Sequence, residues 1–342
     1  MTRLLLIGAS TPQCAIEWSY LRAFRELGVD VTLLDPEREL RRLARGRILA
    51  RFARSLQHAW VAKVLRDFLA HTSNWDVVLV FKGMFISANT LSDAMARTPR
   101  ALWLCFNPDS PFSMERGSSS AHVRAALPLY HTYLIWSHAL IPEIRRAGAR
   151  DVVYMPFAAD SGVHFPASEL DPTLQHSVTF VGSHDATRAE LLESIADLPL
   201  RVYGNAWNRL SRDSKLRDKV VHRSIFDHEL RRVVTSSAVS LNILRRQNAG
   251  AHNMRSFELP AMGATMVTSR SREQAEWFPE REACLMYDDK AELRKNVESL
   301  LDDPRARQQL RAAALQRARS HTYLERARNL LEIATVRTRA RR

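Results

Sequence analysis

Cysteine is scarce in this chain of 342 residues: there are three, Cys14, Cys105 and Cys284, far apart and odd in number. Neither a disulfide framework nor a zinc spacing can be built from them, which points to a reducing compartment. The first strand-like run leads into "IGASTPQCAIEW", which has one glycine and no G-x-G-x-x-G, and no G-x-x-x-x-G-K-S/T occurs anywhere. Ordinary dinucleotide sites and P-loop phosphate chemistry are thereby disfavoured. The opening "MTRLLLIG" has one positive charge and an apolar run too short for a secretory leader, and no later window is long and apolar enough for a membrane span. The expectation is a soluble cytoplasmic protein, with peripheral contact at the inner membrane face left open. The histidines, among them His222 and His228, lack metal spacing, and neither internal repeats nor low-complexity tracts are found.

Positive charge, by contrast, is abundant. Lys and Arg number 50 against 37 Asp and Glu, a formal charge of +13 with a sequence pI near 10.3, which suits a nucleotide, a nucleic acid or a lipid surface. The stretch "ERELRRLARGRILARFARSLQHAW" carries seven arginines from Arg38 to Arg54, with Leu40, Leu43, Ile48, Leu49 and Phe52 on what can be one apolar face. A solvated helix is the default reading, and an anionic membrane or acidic glycan surface is the sharper one. Only Phe52 and Trp60 interleave with these arginines, too few for stacking on nucleic acid.

Short β-branched or leucine-rich runs alternate with amphipathic stretches along the chain, the pattern of parallel strands covered by helices. Strands are expected at Arg3 to Ile7, Val29 to Leu34, Val77 to Lys82, Ala101 to Phe106, Thr132 to Trp136 and Val152 to Phe157. The text from Phe157 to Ser177, "AADSGVHFPASELDPTLQH" at its centre, has no periodicity and reads as a linker. The pattern then restarts, with strands at Val178 to Val181, Arg201 to Tyr203, Val239 to Ile243, Thr265 to Thr268 and Leu285 to Tyr287. The fold class is therefore α/β, with two doubly wound Rossmann-like domains, at 1–160 and 177–320, joined by a linker at 161–176. A C-terminal helix and basic tail at 321–342 follow. Two such domains are expected to face a cleft at the carboxyl ends of their sheets, where ligands of these folds bind.

Several segments carry chemistry. "SVTFVGSHDATRAELLESI" runs from a strand through Gly182 and Ser183 to a helix start near Arg188, and could offer an anion free N–H groups, a positive helix end and a guanidinium. An ordinary turn with a solvated Arg188 is equally open. "RVYGNAW" repeats the strand-then-glycine device at Tyr203 and Gly204, where a glycine permits close backbone approach. "AHNMRSFELPAMGATMVTS" places Asn253 near a helix cap and Arg255 and Glu258 three residues apart on one face. An Asn cap with an internal Arg–Glu pair accounts for this structurally. A carboxylate among apolar neighbours is nevertheless costly unless something binds it, and a ribose diol would serve.

The first domain offers Asp109 in "WLCFNPDSPFSMERGSSS", at a strand's carboxyl end, where a carboxylate could take a proton from an acceptor hydroxyl or simply brace a proline-rich turn. Ser10, Thr11 and Glu17, after the first strand, are candidate acceptor contacts. Cys14 has no histidine-bearing partner motif that would make it a nucleophile.

Taken in order, "FVGS…R.ELL", "YG", "LNI", "N.R.FE.PA.GA", "YDD.AEL", "LLDDP" and "HTY..RA..LL" resemble the C-terminal half of GT-B glycosyltransferases of the spore-maturation CgeB type, grouped with family-1-like transferases. The resemblance spans about residues 150 to 335. It implies the GT-B fold and a metal-independent, cofactor-free transfer of a sugar, as in hexosyltransferases, from a nucleotide-diphosphate-sugar to an acceptor. By position, Glu258 takes the ribose hydroxyls, Arg188 with the Gly182–Ser183 turn takes the diphosphate, Asn253 and Arg255 take the phosphate or sugar side, and Tyr203 and Gly204 border the base. Asp109-Ser110-Pro111 matches an Asp-x-Pro common in that group, which favours Asp109 over Glu17, His131 and His138 as base, and the Glu258 motif resembles that of retaining enzymes. The implied setting is bacterial polysaccharide biosynthesis, with a cell-surface glycan, a lipid-linked conjugate or a small molecule as acceptor. The rival reading is a basic protein that binds nucleotide or nucleic acid on the same scaffold without catalysis.

Overall fold

A computed structural model of the chain describes residues 2–10, 16–38, 47–72, 74–114 and 117–341; for 47–55 and Gln247 only the backbone is described. The chain forms two compact units, one of Met1–Pro156 with Leu324–Arg342 and one of Phe157–Tyr323.

The first unit holds six parallel strands, β1 (Arg3–Ile7), β2 (Asp30–Leu34), β3 (Val77–Phe81), β4 (Leu102–Asn107), β5 (Thr132–Ile135) and β6 (Val152–Tyr154), in the order β2-β1-β3-β4-β5-β6. Every residue of "VVLVF" in β3 and "LWLCFN" in β4 is buried, because helices cover both faces of a parallel sheet. Removing each such Val, Leu or Phe side chain from water contributes about 1.5 to 3 kcal/mol. Helix α1 (Ile16–Glu26) buries Ile16, Tyr20, Leu21, Ala23 and Phe24 and stops at Gly28, whose φ of 72° lets Val29 N–H bond back to the Phe24 carbonyl. Of the arginine-rich stretch, residues 39–46 lie outside the described residues, and the backbone of Arg47–His71 forms helix α2.

Further helices of this unit among the described residues are α3 (Ala88–Arg97), α4 (Ala121–Ala126) and α5 (Ile141–Arg146). The chain's last helix, spanning Tyr323–Ala340, returns to the first unit: Arg326 Nε donates to the Pro156 carbonyl at 3.2 Å, and Arg337 Nε pairs with Asp151 at 2.7 Å.

In the second unit the strands are β7 (Val178–Val181), β8 (Leu200–Tyr203), β9 (Val220–Val221), β10 (Val239–Asn242), β11 (Met266–Ser269) and β12 (Leu285–Tyr287). Their order, β12-β11-β10-β7-β8-β9, is all parallel and reverses direction of winding between β7 and β10. In the first unit the reversal falls between β1 and β3. Strand β9 was not foreseen: two residues are too few to show a period. The core of this unit is built by Val178, Phe180, Val202, Trp207, Val239, Leu241 and Val267, with Leu293, Val297 and Leu300 from helix α10 (Lys290–Asp302), which follows α9 (Arg272–Trp277).

The segment read from sequence as a linker, 161–176, is part of the second unit. Ala167 N–H donates to Thr235 Oγ1 at 3.0 Å and Asp171 N–H to Ser236 Oγ at 2.8 Å, both on helix α7 (Asp227–Ser236), and Pro172–Leu174 is a short 3-10 turn. Its lack of periodicity reflects anchoring by side chains rather than the absence of structure.

Candidate functional site

Open α/β sheets bind ligands beyond the carboxyl ends of their strands, where the winding reverses. In the second unit that place is the end of β7 and β10. Residues Gly182 and Ser183 follow β7, and Ile243 follows β10. Arg188, on helix α6 (Ala186–Glu193), joins the two: its Nε and Nη2 donate to the Ile243 carbonyl at 3.2 and 3.0 Å, and its Nη1 to the Ser183 carbonyl at 3.2 Å. The guanidinium also sits over the Phe180 ring, 5.4 Å from its centroid. Burial, then the nearby like charge of Arg245, pulls its pKa down to about 10, with Arg255 adding to the effect. Arg188, Arg245 and Arg255 thus gather positive charge at this strand end.

The helix N-terminus itself is not open to an anion as expected. Asp185 caps it, accepting from Thr187 N–H at 2.9 Å and Arg188 N–H at 3.3 Å, so a fixed carboxylate takes the two donors on which an anion would have been seated. The Gly182 N–H is likewise engaged, with the Tyr203 carbonyl at 2.9 Å, and the Gly182 carbonyl accepts Trp207 Nε1–H at 2.9 Å. Gly204 has φ of 137°, and a Cβ there would lie 2.1 Å from the Gly182 oxygen. The close approach foreseen for Gly204 is therefore to the neighbouring β7 turn. Tyr203 is buried beside it.

Helix α8 (Arg255–Ala261) begins with a reciprocal cap. Asn253 Oδ1 accepts Ser256 N–H at 3.0 Å while Ser256 Oγ accepts Asn253 N–H at 3.2 Å, and Asn253 Nδ2 donates to Asn242 Oδ1 at 2.9 Å. Asn253 is thus a capping residue. Arg255 pairs with Glu258 through Nη1 and Oε2, and its Nε lies 3.5 Å from the Val181 carbonyl. Glu258 is only 3% exposed. Burial alone would raise its pKa, but Arg255 and then His164 outweigh it and hold the carboxyl below its ordinary value, so it is ionised at neutral pH. Sequence reasoning missed His164, whose Nε2 is 3.7 Å from Glu258 Oε1 and whose Nδ1 accepts the Asp160 N–H at 3.0 Å. It also missed Arg245. The structure brings Gly182, Ser183, Arg188, Arg255 and Glu258 together around the end of β7, with Asn253, Tyr203 and Gly204 supporting them.

The first unit has its own cavity at the reversal point between β1 and β3, of about 150 Å³, with Gly8, Glu17, Glu37 and Lys82 among its lining residues. Gly8 leaves room for the Glu17 side chain, since a Cβ there would come 2.6 Å from Glu17 Cγ. Glu17 Oε1 accepts the Ala9 N–H at 3.1 Å, and burial raises its pKa above 4.5, with Asp35 adding and Lys82 opposing. Ser10 is placed by its N–H donating to Asp35 Oδ2 at 2.6 Å. Thr11 and Cys14 lie outside the described residues.

Asp109, beyond β4, meets Lys82 from beyond β3: Lys82 Nζ is 2.5 Å from Asp109 Oδ2 and 2.5 Å from the Gly117 carbonyl. Lys82 adopts φ of 62°, a left-handed conformation that a non-glycine residue rarely takes and that is held here by these bonds. Lys82 was not singled out from sequence, although a lysine closing an apolar strand was visible. Among the described residues no group of three or more side chains could hold a metal ion, and no helix is long and apolar enough to cross a membrane.

Solved structures resemble the chain over nearly its whole length: a sucrose-phosphate synthase of Thermosynechococcus elongatus superposes with a TM-score of 0.70 at 13% identity, covering 99% of this chain and 100% of that one. The fold is GT-B. A glycosyltransferase of Rickettsia africae has a TM-score of 0.65 at 11% identity, covering 98% of each chain. HepE of Anabaena, solved in complex with UDP, has a TM-score of 0.63 at 11% identity, covering 98% of this chain and 100% of that one. Residues 187–332 match the family described as glycosyl transferase-like, a span that contains Arg188, Arg255 and Glu258. None of the curated proteins matches the chain. In this GT-B chain the matched span begins one residue before Arg188 and ends within the last helix.

Proposed function

We propose that the chain is a glycosyltransferase that takes a nucleotide-diphosphate-sugar in its second unit and an acceptor in its first. The observation that carries this reading is the gathering of Arg188, Arg245 and Arg255 beside one buried, ionised carboxylate, Glu258, at the winding reversal of a GT-B sheet. Mutually repelling guanidiniums are relieved by an anion, and each charge-assisted hydrogen bond to a diphosphate contributes about 1.5 to 3 kcal/mol. Glu258 accepts hydrogen bonds donated by the ribose hydroxyls. The Gly182–Ser183 turn approaches the diphosphate, and Tyr203 and Gly204 border the base. Related folds support the donor class: HepE of Anabaena was solved with UDP and glucose, and pneumococcal GtfA with UDP and GlcNAc.

In the reaction the bond between the sugar anomeric carbon and the diphosphate oxygen breaks and a bond from that carbon to the acceptor oxygen forms. The acceptor hydroxyl proton passes to Asp109, held by Lys82, and the arginines offset the charge that develops on the leaving diphosphate in place of a metal. Glu17 lines the acceptor cavity, and Ser10 and Thr11 are the further acceptor contacts by their position in the sequence. The resemblance of the chain's motifs to those of CgeB-type enzymes supports a hexosyl donor and a glycan or lipid-linked acceptor in a bacterial cytoplasm.

Thermal melting with UDP, GDP, ADP and dTDP and their sugars tests this directly. One nucleotide at about 100 times its Kd adds about 2.7 kcal/mol, a shift of several degrees. If no nucleotide shifts melting while duplex DNA or RNA does so with steep salt dependence, the chain is a nucleic-acid binder on a GT-B scaffold instead.

A further inference from the structure

A second cavity lies within the second unit, of about 430 Å³ against about 150 Å³ for the one at Glu17. Its walls are mainly apolar, from Phe165 and Pro166 of the segment after β6, Ala261 at the end of α8, and Leu315 and Ala318 of helix α11 (Pro304–Ala318), and its rim carries Arg319. The size falls in the range of small-molecule pockets, roughly 300 to 1,000 Å³, in which apolar walls supply affinity and a few polar groups fix orientation.

The wall is preformed. The turn at 160–164 is closed by Gly162 N–H donating to Asp160 Oδ1 at 3.0 Å, by Val163 N–H donating to the Asp160 carbonyl at 2.9 Å, and by Asp160 N–H donating to His164 Nδ1 at 3.0 Å. Arg231 fixes the next residues, with Nη1 donating to the Val163 carbonyl at 3.0 Å and its Cζ lying 4.1 Å from the Phe165 ring centroid. Little ordering is therefore left for a ligand to impose.

The charge at the rim is equally specific. On the same helix Arg307 donates to the Leu300 and Leu301 carbonyls, Arg311 to the Ser237 carbonyl, and Arg317 to Glu282. Arg319, exposed at the end of that helix, makes no side-chain hydrogen bond or ion pair among the described residues. An apolar hollow with one uncommitted guanidinium at its mouth complements a molecule with one apolar end and one anionic end. His164, which also lines the hollow, turns its Nε2 towards Glu258, so one ring separates this cavity from the carboxylate described above.

We propose that this cavity is a second binding site, for a small amphipathic carboxylate whose apolar chain lies between Phe165, Ala261 and Ala318 and whose carboxylate pairs with Arg319. Decanoate, below the concentration at which it forms micelles, is the probe. Calorimetric titration of the full chain is expected to show saturable binding, with affinity lowered about tenfold in Arg319→Gln and abolished in Ala318→Phe, which fills the hollow. The ring resonances of His164, assigned through His164→Gln, are expected to move on titration while those of His184 stay in place. Decan-1-ol, lacking the charge, is expected to bind wild type and Arg319→Gln alike.

Arg319→Gln is a surface change that keeps the fold, so the proposal stays testable if Ala318→Phe fails to fold. Absence of saturable binding, unchanged affinity in Arg319→Gln, or an unmoved His164 ring would each overturn it. No nucleotide enters the experiment, so its failure leaves the donor-site reading where it stands.

Discussion

His164 Nε2 and Glu258 Oε1 face each other at 3.7 Å, one from a segment without strand or helix and the other from a buried helix 94 residues further on, 258 − 164. Together with Arg255 on the second oxygen, this contact keeps Glu258 ionised inside the second unit. Its folded pKa lies below the 4.5 of an unfolded chain, so the stability it contributes is fully present above pH 4.5 and is lost as pH falls through the lowered value. In Glu258→Gln the partner Arg255, whose side chain is 25% exposed, is left without its carboxylate. We expect a loss of about 2 to 3 kcal/mol at neutral pH, smaller than for a fully buried pair. Chemical denaturation of the two proteins should show that difference shrinking below pH 4.5. A constant difference across the acid range would remove the ion pair from the account.

Glycines with positive φ are not equivalent here. Gly204→Ala drives a Cβ to 2.1 Å from a backbone oxygen, whereas Gly250, with φ of 77°, has nothing within 4 Å of its Cβ position. Gly250→Ala is expected to cost about 1 kcal/mol from conformation alone, and Gly204→Ala about 3 kcal/mol or more, because the turns after β7 and β8 must separate. Urea midpoints at constant m-value compare them; equal losses would mean that the Gly182 contact carries no weight.

How much of this was legible follows from the kind of interaction involved. Strands such as β3 and β4 are continuous apolar runs, so their positions and the doubly wound class could be read directly, as could the Asn253 cap and the three-residue spacing of Arg255 and Glu258. Asp185 was not legible as the cap: the helix is expected from sequence to begin near Arg188, two residues later than it does, which leaves the loop open to reading as an anion seat. His164 was not legible either, because its role depends on a fold-back of the chain and its neighbours carry no period. Lys82 and Asp109 are 27 residues apart, and nothing local shows that β3 and β4 are adjacent.

Glu17 should behave in the opposite sense to Glu258. Burial raises its folded pKa above 4.5, so the folded state holds its proton more tightly and stability falls as pH rises from 4.5 through the raised value. Glu17→Gln keeps an acceptor for the Ala9 N–H and removes the buried charge. It is expected to be more stable than wild type at neutral pH, with the gain vanishing below pH 4.5; a destabilised variant at neutral pH would contradict this placement of Glu17.

Thiol chemistry reports on the core of each unit. Cys105 and Cys284 are both buried, and burial pushes the pKa of each up to about 12, so neither presents thiolate at neutral pH. A maleimide reagent is expected to leave both unmodified in the folded protein and to label both after denaturation. Peptide mapping that finds either one modified at the native rate of a free thiol would show the strand β4 or β12 region to be open.

The central claim, that Glu258 marks a donor-nucleotide site, is tested most directly by calorimetric titration of the nucleoside diphosphate that shifts melting into wild type, Glu258→Ala and Asp109→Asn. Glu258→Ala is expected to weaken binding at least tenfold, and Asp109→Asn to bind as wild type does while its turnover falls by about 100-fold or more. Unchanged affinity in Glu258→Ala, in a variant that still unfolds cooperatively, would contradict it.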